Sequence, residues 1–249
     1  MHNMPASGAE PQGTTGEQNA SNAVQSMFNE IAPRYDMANH ILSANIDRVW
    51  WRKTARSFLP ILQQPESTVV DLCCGTGDMT MALLRHRPQD GRPLLAIDFA
   101  HEMLIRGRKK FSMRGAIAIE GDALSMPLAN ESVDLLTTAF GFRNLANYAA
   151  GLQEIHRILR PGGEVGILDF SEPTGVTGKL YQFYFRHILP RIGKFLSGSA
   201  GPYTYLPQSV RRFPSPTEML EMMLACGFTQ TSWTPYTFGI AGLYRGVKR

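Results

Sequence analysis

Thr68-Val-Val-Asp-Leu-Cys73 is a short apolar run that opens into the glycine turn Gly75-Thr-Gly77, and a helical pattern follows from about Asp78 to Arg87. A buried strand that passes through glycines into a helix is the first half of a βαβ unit. It commits the chain to a largely parallel sheet covered on both faces. The alternation continues along the chain. Pro93–Asp98 reads as a second strand, and the next helix carries Met103, Leu104, Gly107 and Phe111 on one face. Ala116–Glu120 and Val133–Ala139 read as the third and fourth strands. Helix 148–159 turns Ala149, Leu152, Ile155 and Leu159 inward, Pro161-Gly-Gly163 is a turn, and Glu164–Phe170 is the fifth strand. A helix over about 217–226, a stop at Gly227 and two final strands complete the pattern. The expected class is α/β, with a mostly parallel seven-stranded sheet and helices on both faces.

Residues 1–20 are rich in Gly, Ala, Gln, Thr and Pro and are expected to be a disordered tail. That leaves 21–249 as a single domain, as a length of 249 residues favours. After Ser21, a candidate N-cap, Val24, Met27, Phe28 and Ile31 recur at helical spacing until Pro33. A second helix is expected over about Ile46 to Phe58, so 21–60 form a helical lid. Residues 172–216 break the alternation and are expected to be an insertion that covers substrate. Cys73, Cys74 and Cys226 lack CxxC spacing, and so sparse a set points to a reducing compartment. The N-terminus shows no signal pattern and no stretch approaches 18 apolar residues, so a cytoplasmic protein is expected. His101, His156 and His187 match no metal-ligand spacing, and no metal is expected.

Glycines at a strand-to-helix turn let a ligand approach the backbone, and the helix start offers free N–H groups. Gly75, Thr76 and Gly77 are therefore candidate cofactor contacts; the alternative is an ordinary tight turn. Asp98 ends the second strand, where a carboxylate accepts both hydroxyls of a ribose, caps the next helix, or does both. The third glycine of the dinucleotide fingerprint is missing, with Thr80 in its place, which argues against a pyrophosphate ligand and a dehydrogenase. S-adenosylmethionine is a nucleoside without a pyrophosphate. Gly121-Asp122-Ala123 after the third strand offers small and acidic neighbours for an adenine ring.

With these segments in view, the sequence resembles the class I S-adenosylmethionine methyltransferases, and more narrowly the ubiquinone/menaquinone biosynthesis C-methyltransferase family. The resemblance covers nearly everything from about Ser21 to Arg249. It rests on Tyr35-Asp-Met-Ala-Asn-His-Ile-Leu-Ser43 with Trp50, on Asp71–Asp78, on Phe140-Gly-Phe-Arg-Asn144, and on Arg157–Gly163 running to Asp169-Phe-Ser171. It implies a Rossmann-like fold and cofactor contacts at Thr76, Asp98, Asp122 and Ala123. A further contact is implied just before Phe140, where the family often has serine and this chain has Ala139. Position 122 is often asparagine in relatives, and Ala38 departs from the family's motif. The implied reaction is C-methylation of a polyprenyl quinol, demethylmenaquinol to menaquinol first, with the ubiquinone precursor also in view.

A quinol ring carbon becomes a good nucleophile when a neighbouring hydroxyl loses its proton, so the site needs a group that accepts the proton or stabilises the charge. Arg143 and Asn144 follow the fourth strand at the carboxyl edge of the sheet. The family resemblance favours a stabilising Arg143 and an orienting Asn144 over a salt-bridged arginine and a helix-capping asparagine. Tyr35 is a third candidate, or a core tyrosine of the lid. Between Glu172 and Glu218 there is no acid, while Lys179, Arg186, Arg191, Lys194, Arg211 and Arg212 alternate with aromatics including Tyr181, Phe183, Tyr184, Phe185, Tyr205 and Phe213. Such a stretch suits transient contact with an anionic membrane surface, a nucleic-acid surface or a plain cover. A net charge of +4 is too mild to favour nucleic acid. Other open readings are methylation of another small aromatic or lipid acceptor, and an RNA methyltransferase or adaptor; the chain also leaves room for a homodimer.

Overall fold

The computed structural model describes residues 8–36, 43, 45–173, 178 and 201–249. Seven strands form one sheet in the order β3-β2-β1-β4-β5-β7-β6. They are β1 (Val69–Leu72), β2 (Leu94–Asp98), β3 (Ala116–Glu120), β4 (Val133–Ala139), β5 (Leu159–Phe170), β6 (Phe228–Tyr236) and β7 (Ala241–Lys248). β1 to β5 are parallel, and β7 runs antiparallel to both β5 and β6. The order reverses between β1 and β4, and an open α/β sheet binds ligands at such a switch point.

Helices α1 (Glu17–Ile31), α2 (Asp47–Arg56), α3 (Leu59–Leu62), α4 (Asp78–Leu84), α5 (His101–Phe111), α6 (Tyr148–Ile158), α7 (Gly201–Arg212) and α8 (Pro216–Ala225) surround the sheet. Successive strand residues point to opposite faces, so the buried runs feed two cores. Val70, Leu72, Leu136, Val165 and Ile167 pack with Leu152, Ile155 and Ile158 of α6 and Met219 and Met223 of α8. Val69, Leu135 and Leu168 pack on the other face with Trp50 of α2, Leu83 of α4, and Leu104 and Phe111 of α5. The alternating helix-strand pattern of the sequence is thus realised as a doubly covered sheet.

Two expectations change, and a third is covered only in part. The tail expected over 1–20 is corrected from Gly8 onward: α1 starts at Glu17, and Ala9 is buried and donates its N–H to Leu145 O at 2.7 Å. Its first seven residues lie outside the described residues. The turn at Pro161-Gly-Gly163 is absorbed into β5, because Leu159 already pairs with Val133 before the register shifts to Leu135–Glu164. The insertion over 172–216 is described only in part, at its first residues, at Gly178 and through α7, which leads into α8. Lys179, Tyr181, Phe183, Tyr184, Phe185, Arg186, Arg191 and Lys194 lie outside the described residues. No helix among the described residues is long and apolar enough to cross a membrane.

Candidate active site

A cleft of about 690 Å³ opens along the carboxyl ends of β1 to β4. Its wall takes Cys73 and Gly75 from the end of β1, Asp98 and Phe99 from β2, Gly121, Asp122 and Ala123 from β3, and Ala139, Phe140, Gly141 and Asn144 from β4. Ser21, Phe28 and Tyr35 close it from the N-terminal segment. The ends of four adjacent strands and one covering helix therefore meet at the switch point.

The glycine turn is built by close packing. Gly107 of α5 lies so near that a Cβ there would stand 2.8 Å from Gly75 O, and a Cβ on Gly77 would stand 2.4 Å from the Phe111 ring. Gly77 is left-handed at φ 87° and starts α4. Gly75 is also left-handed, at φ 54°, but a Cβ there would meet nothing within 4 Å. The space above Gly75 is therefore not filled by protein. On the far side, Gly141 leaves room for Cys73, whose Cβ would lie 2.3 Å from an added methyl.

Asp98 sits at the centre of the cleft floor, 6% exposed. One carboxylate oxygen accepts Gly75 N–H at 2.7 Å and the other accepts Ala100 N–H at 2.8 Å. A carboxylate offers about four acceptor positions; Gly75, Ala100 and Phe99 N–H groups draw on this one, and the remaining capacity is open to a ligand hydroxyl. Asp98 steadies the start of α5 through Ala100 N–H and also lines the cleft. Burial pushes its pKa up to about 6, against the pull of its backbone donors. Asp71, wholly buried below the turn, accepts Thr80 Oγ1 at 2.6 Å and Thr137 Oγ1 at 3.3 Å, and burial raises it to about 7. Asp122 holds its own loop by accepting Leu124 N–H at 2.9 Å, beside the buried Ala123.

The structure separates the other candidates. Thr76 and Gly77 do not face the cleft. The Thr76 hydroxyl donates to Asp36, which also binds Lys110 Nζ at 2.5 Å, and this ties the glycine turn to the segment after Tyr35. Tyr35 does line the cleft, edge-on to Phe28 at 6.0 Å. Asn144 lines it too, but Arg143 is buried behind it. The Arg143 guanidinium binds Asp169 at 2.9 Å, donates to Phe140 O and lies 5.2 Å from the Phe170 ring centre. The same carboxylate accepts Arg143 N–H at 3.0 Å and Phe170 N–H at 2.8 Å. Although burial opposes the charge, Asp169 holds the guanidinium above its ordinary pKa.

Two residues without an assigned role in the sequence reading belong here. Tyr205 of α7 donates its hydroxyl to Asn144 Oδ1 at 3.1 Å, and burial raises its pKa to about 12. Its only sequence signal is membership of the aromatic run after β5. Asp169 is the partner that fixes Arg143; its position at the end of a buried strand is the signal that was available. Beside them, Phe140 packs at a tilt against Phe170, with ring centres 4.6 Å apart, and against Trp50 at 5.7 Å, making an aromatic wall. Phe140 holds this place in a left-handed conformation, φ 58°.

Comparison with known proteins bears on the family and the fold. The profile of the ubiE/COQ5 methyltransferase family matches residues 15–248. A demethylmenaquinone methyltransferase of Deinococcus radiodurans is 44% identical over 237 residues, covering 94% of this chain and 95% of its own. Another from Thermus thermophilus is 40% identical over 223 residues, covering 88% of this chain and 99% of its own. Among solved structures, a SAM-dependent methyltransferase of Thermotoga maritima superposes with a TM-score of 0.61 at 18% identity, over 91% of this chain and all of the other, which supports the fold. The match over almost the whole chain, on a sheet whose switch-point cleft is built as described, places this chain in the ubiE/COQ5 methyltransferase family.

Proposed function

We propose that this methyltransferase moves the methyl group of S-adenosylmethionine to a ring carbon of a lipid-tailed hydroquinol, with demethylmenaquinol as the substrate. The observation that carries the cofactor is the floor of the cleft: a buried Asp98 with acceptor capacity left over, next to the unfilled space over Gly75. Asp98 would hold the ribose hydroxyls, and Asp122 and Ala123 would border the adenine. The bound cofactor supplies an electrophilic methyl on a sulfonium, and the chain's residues do the rest.

Phe140, with Phe170 and Trp50 behind it, offers a flat apolar wall for an aromatic acceptor, and Phe28 and Tyr35 close the opposite side. This excludes water from an in-line displacement. Asn144, held by Tyr205, would orient the quinol hydroxyl. Arg143 is a positioning residue. Paired with Asp169 it is nearly neutral as a unit, so it steadies the Phe140–Asn144 turn more than it offers a free cation to a developing phenolate. A prenyl tail would bring the enzyme to the face of a membrane.

The naphthoquinol is preferred because the relatives at 44% and 40% identity carry that substrate in their names. Quinones extracted from cells lacking this protein test the reading by mass spectrometry. Accumulation of the ring-demethylated menaquinone supports it, and an unchanged quinone pool contradicts it.

A further inference from the structure

The turn between β6 and β7 is unusual. Thr237 and Phe238 both adopt left-handed conformations, at φ 45° and 57°, and Gly239 follows at φ 85°. Left-handed backbone is costly for a β-branched or bulky residue. Here it holds Phe238 out into solvent, 84% exposed. With Ile46 and Val49, which are also exposed, the ring adds to an apolar surface rather than standing as a lone exposed side chain.

The turn is fastened to α2. Trp50 donates its indole N–H to Thr237 Oγ1 at 2.8 Å, and Lys53 Nζ lies 5.6 Å from the centre of the Tyr236 ring. The outer side of α2 continues the surface with the exposed Ile46 and Val49 and with Arg48, Arg52, Lys53 and Arg56, all exposed. The one acid of this helix, Asp47, is buried and accepts Arg48 N–H at 2.7 Å. Glu172, near the turn, is directed to Arg211 at 4.0 Å. The face is therefore apolar at its tip and cationic around it.

Its location ties it to the reaction. β7 begins beside the end of β5, with Ala241 opposite Phe170, so the turn sits on the carboxyl edge of the sheet. Trp50 is bonded to Thr237 and packs on Phe140 at 5.7 Å and Phe170 at 6.1 Å. One buried side chain thus lies between the Phe238 turn and the aromatic wall of the cleft.

We infer that the outer face of α2 and the Phe238 turn form the surface by which the protein sits on an anionic lipid bilayer, with Phe238 entering the headgroup boundary and Arg48, Arg52, Lys53 and Arg56 facing lipid phosphates. Exposed aromatic and aliphatic side chains ringed by cations fit that partner by charge and by depth. The inference rests on the lipid-tailed quinol reading, and it places the membrane face at α2 and the β6–β7 turn rather than at the basic stretch after β5.

Flotation with vesicles tests it, using pure phosphatidylcholine and a mixture with phosphatidylglycerol. The wild type floats with the anionic vesicles, far less with the neutral ones, and loses binding as salt rises. Phe238→Asn removes the ring and suits the left-handed backbone, so the fold is kept. Arg48→Glu with Arg52→Glu reverses two exposed charges. Each variant lowers vesicle partitioning by roughly tenfold or more. Both retain wild-type turnover of a short-tailed, water-soluble quinol. That assay separates the two claims: failure of the wild type there refutes the substrate reading, whereas intact turnover with unaltered flotation of both variants overturns the membrane face alone. Equal flotation on neutral and anionic vesicles overturns it as well. So does a solution dimer that Phe238→Asn dissociates, which would make the face an interface between copies.

Discussion

Replacing Arg143 by alanine should act mainly through stability, because its guanidinium and the Asp169 carboxylate are 6% and 0% exposed and bind each other at 2.9 Å. Removing one member leaves the other charge buried, a loss of about 3–5 kcal/mol. Asp169 would keep two donors, the N–H groups of residues 143 and 170, so the lower end, about 3 kcal/mol, is expected. In a chain of this size that corresponds to a fall in Tm of roughly 6–12 °C. Asp169→Asn strands the cation instead and should cost a similar amount. The combined Arg143→Ala, Asp169→Asn variant should lose less than the sum of the single losses by about 1.5–3 kcal/mol, since the second change removes an orphaned charge. Arg143→Lys should recover only part, because an ammonium cannot serve Asp169 and Phe140 O as the planar group does. Thermal unfolding, cofactor calorimetry and single-turnover rates on the same preparations provide the readout. Affinity and rate should fall together with Tm. A folded Arg143→Ala protein with wild-type Tm and cofactor affinity but about 10²-fold slower transfer, or strictly additive losses in the double variant, would refute the positioning role and put the guanidinium into the chemistry.

Other outcomes follow from the same geometry. S-adenosylmethionine affinity should fall about tenfold per pH unit below the Asp98 pKa of about 6, because ligand hydroxyls need the ionised carboxylate, and Asp98→Asn should flatten that profile in calorimetry. Asp71 is raised to about 7 in the fold, so its favourable contribution is fully present below about 3.8 and is lost as pH rises through about 7; the ligand-free protein should gain stability from pH 8 to pH 5.5, and a flat denaturation series would contradict this. Gly107→Ala should push α5 off the glycine turn, costing about 1–3 kcal/mol and weakening cofactor binding, against unchanged values if the turn yields freely. Starting the chain at Ser21 should lower Tm by several degrees, since it removes Ala9, the buried Ala20 and the Asn147–Glu17 hydrogen bond; an unaltered Tm would show those contacts to be idle.

The sheet was legible because strands buried on both faces are continuous apolar runs, and glycines mark where the first of them ends. Asp98 was legible for a related reason, being a carboxylate at the end of such a run. What escaped was set by contacts between distant residues. The Thr76 hydroxyl turns from the cleft because Asp36, 40 positions away, accepts it. Arg143 stands where the sequence reading put it, but its pairing with Asp169, 26 positions on, was not visible in the local pattern. Ala9 lies in a stretch with tail-like composition and is held by one backbone hydrogen bond to Leu145 that no residue pattern announces. β5 runs back across Pro161-Gly-Gly163 because Leu159 pairs with Val133, a partner that local turn signals do not reveal.

The central claim is transfer of a methyl group to carbon on a lipid-tailed quinol. It is tested most directly by incubating the purified protein with methyl-labelled S-adenosylmethionine and chemically reduced demethylmenaquinone, then oxidising the product in air before mass spectrometry. Methylation at a ring carbon leaves both hydroxyls free, so the labelled product should return to a quinone and match menaquinone. A labelled product that resists oxidation, as a methylated hydroxyl would, or no label on the quinol beside an active transfer to another acceptor, would contradict the account.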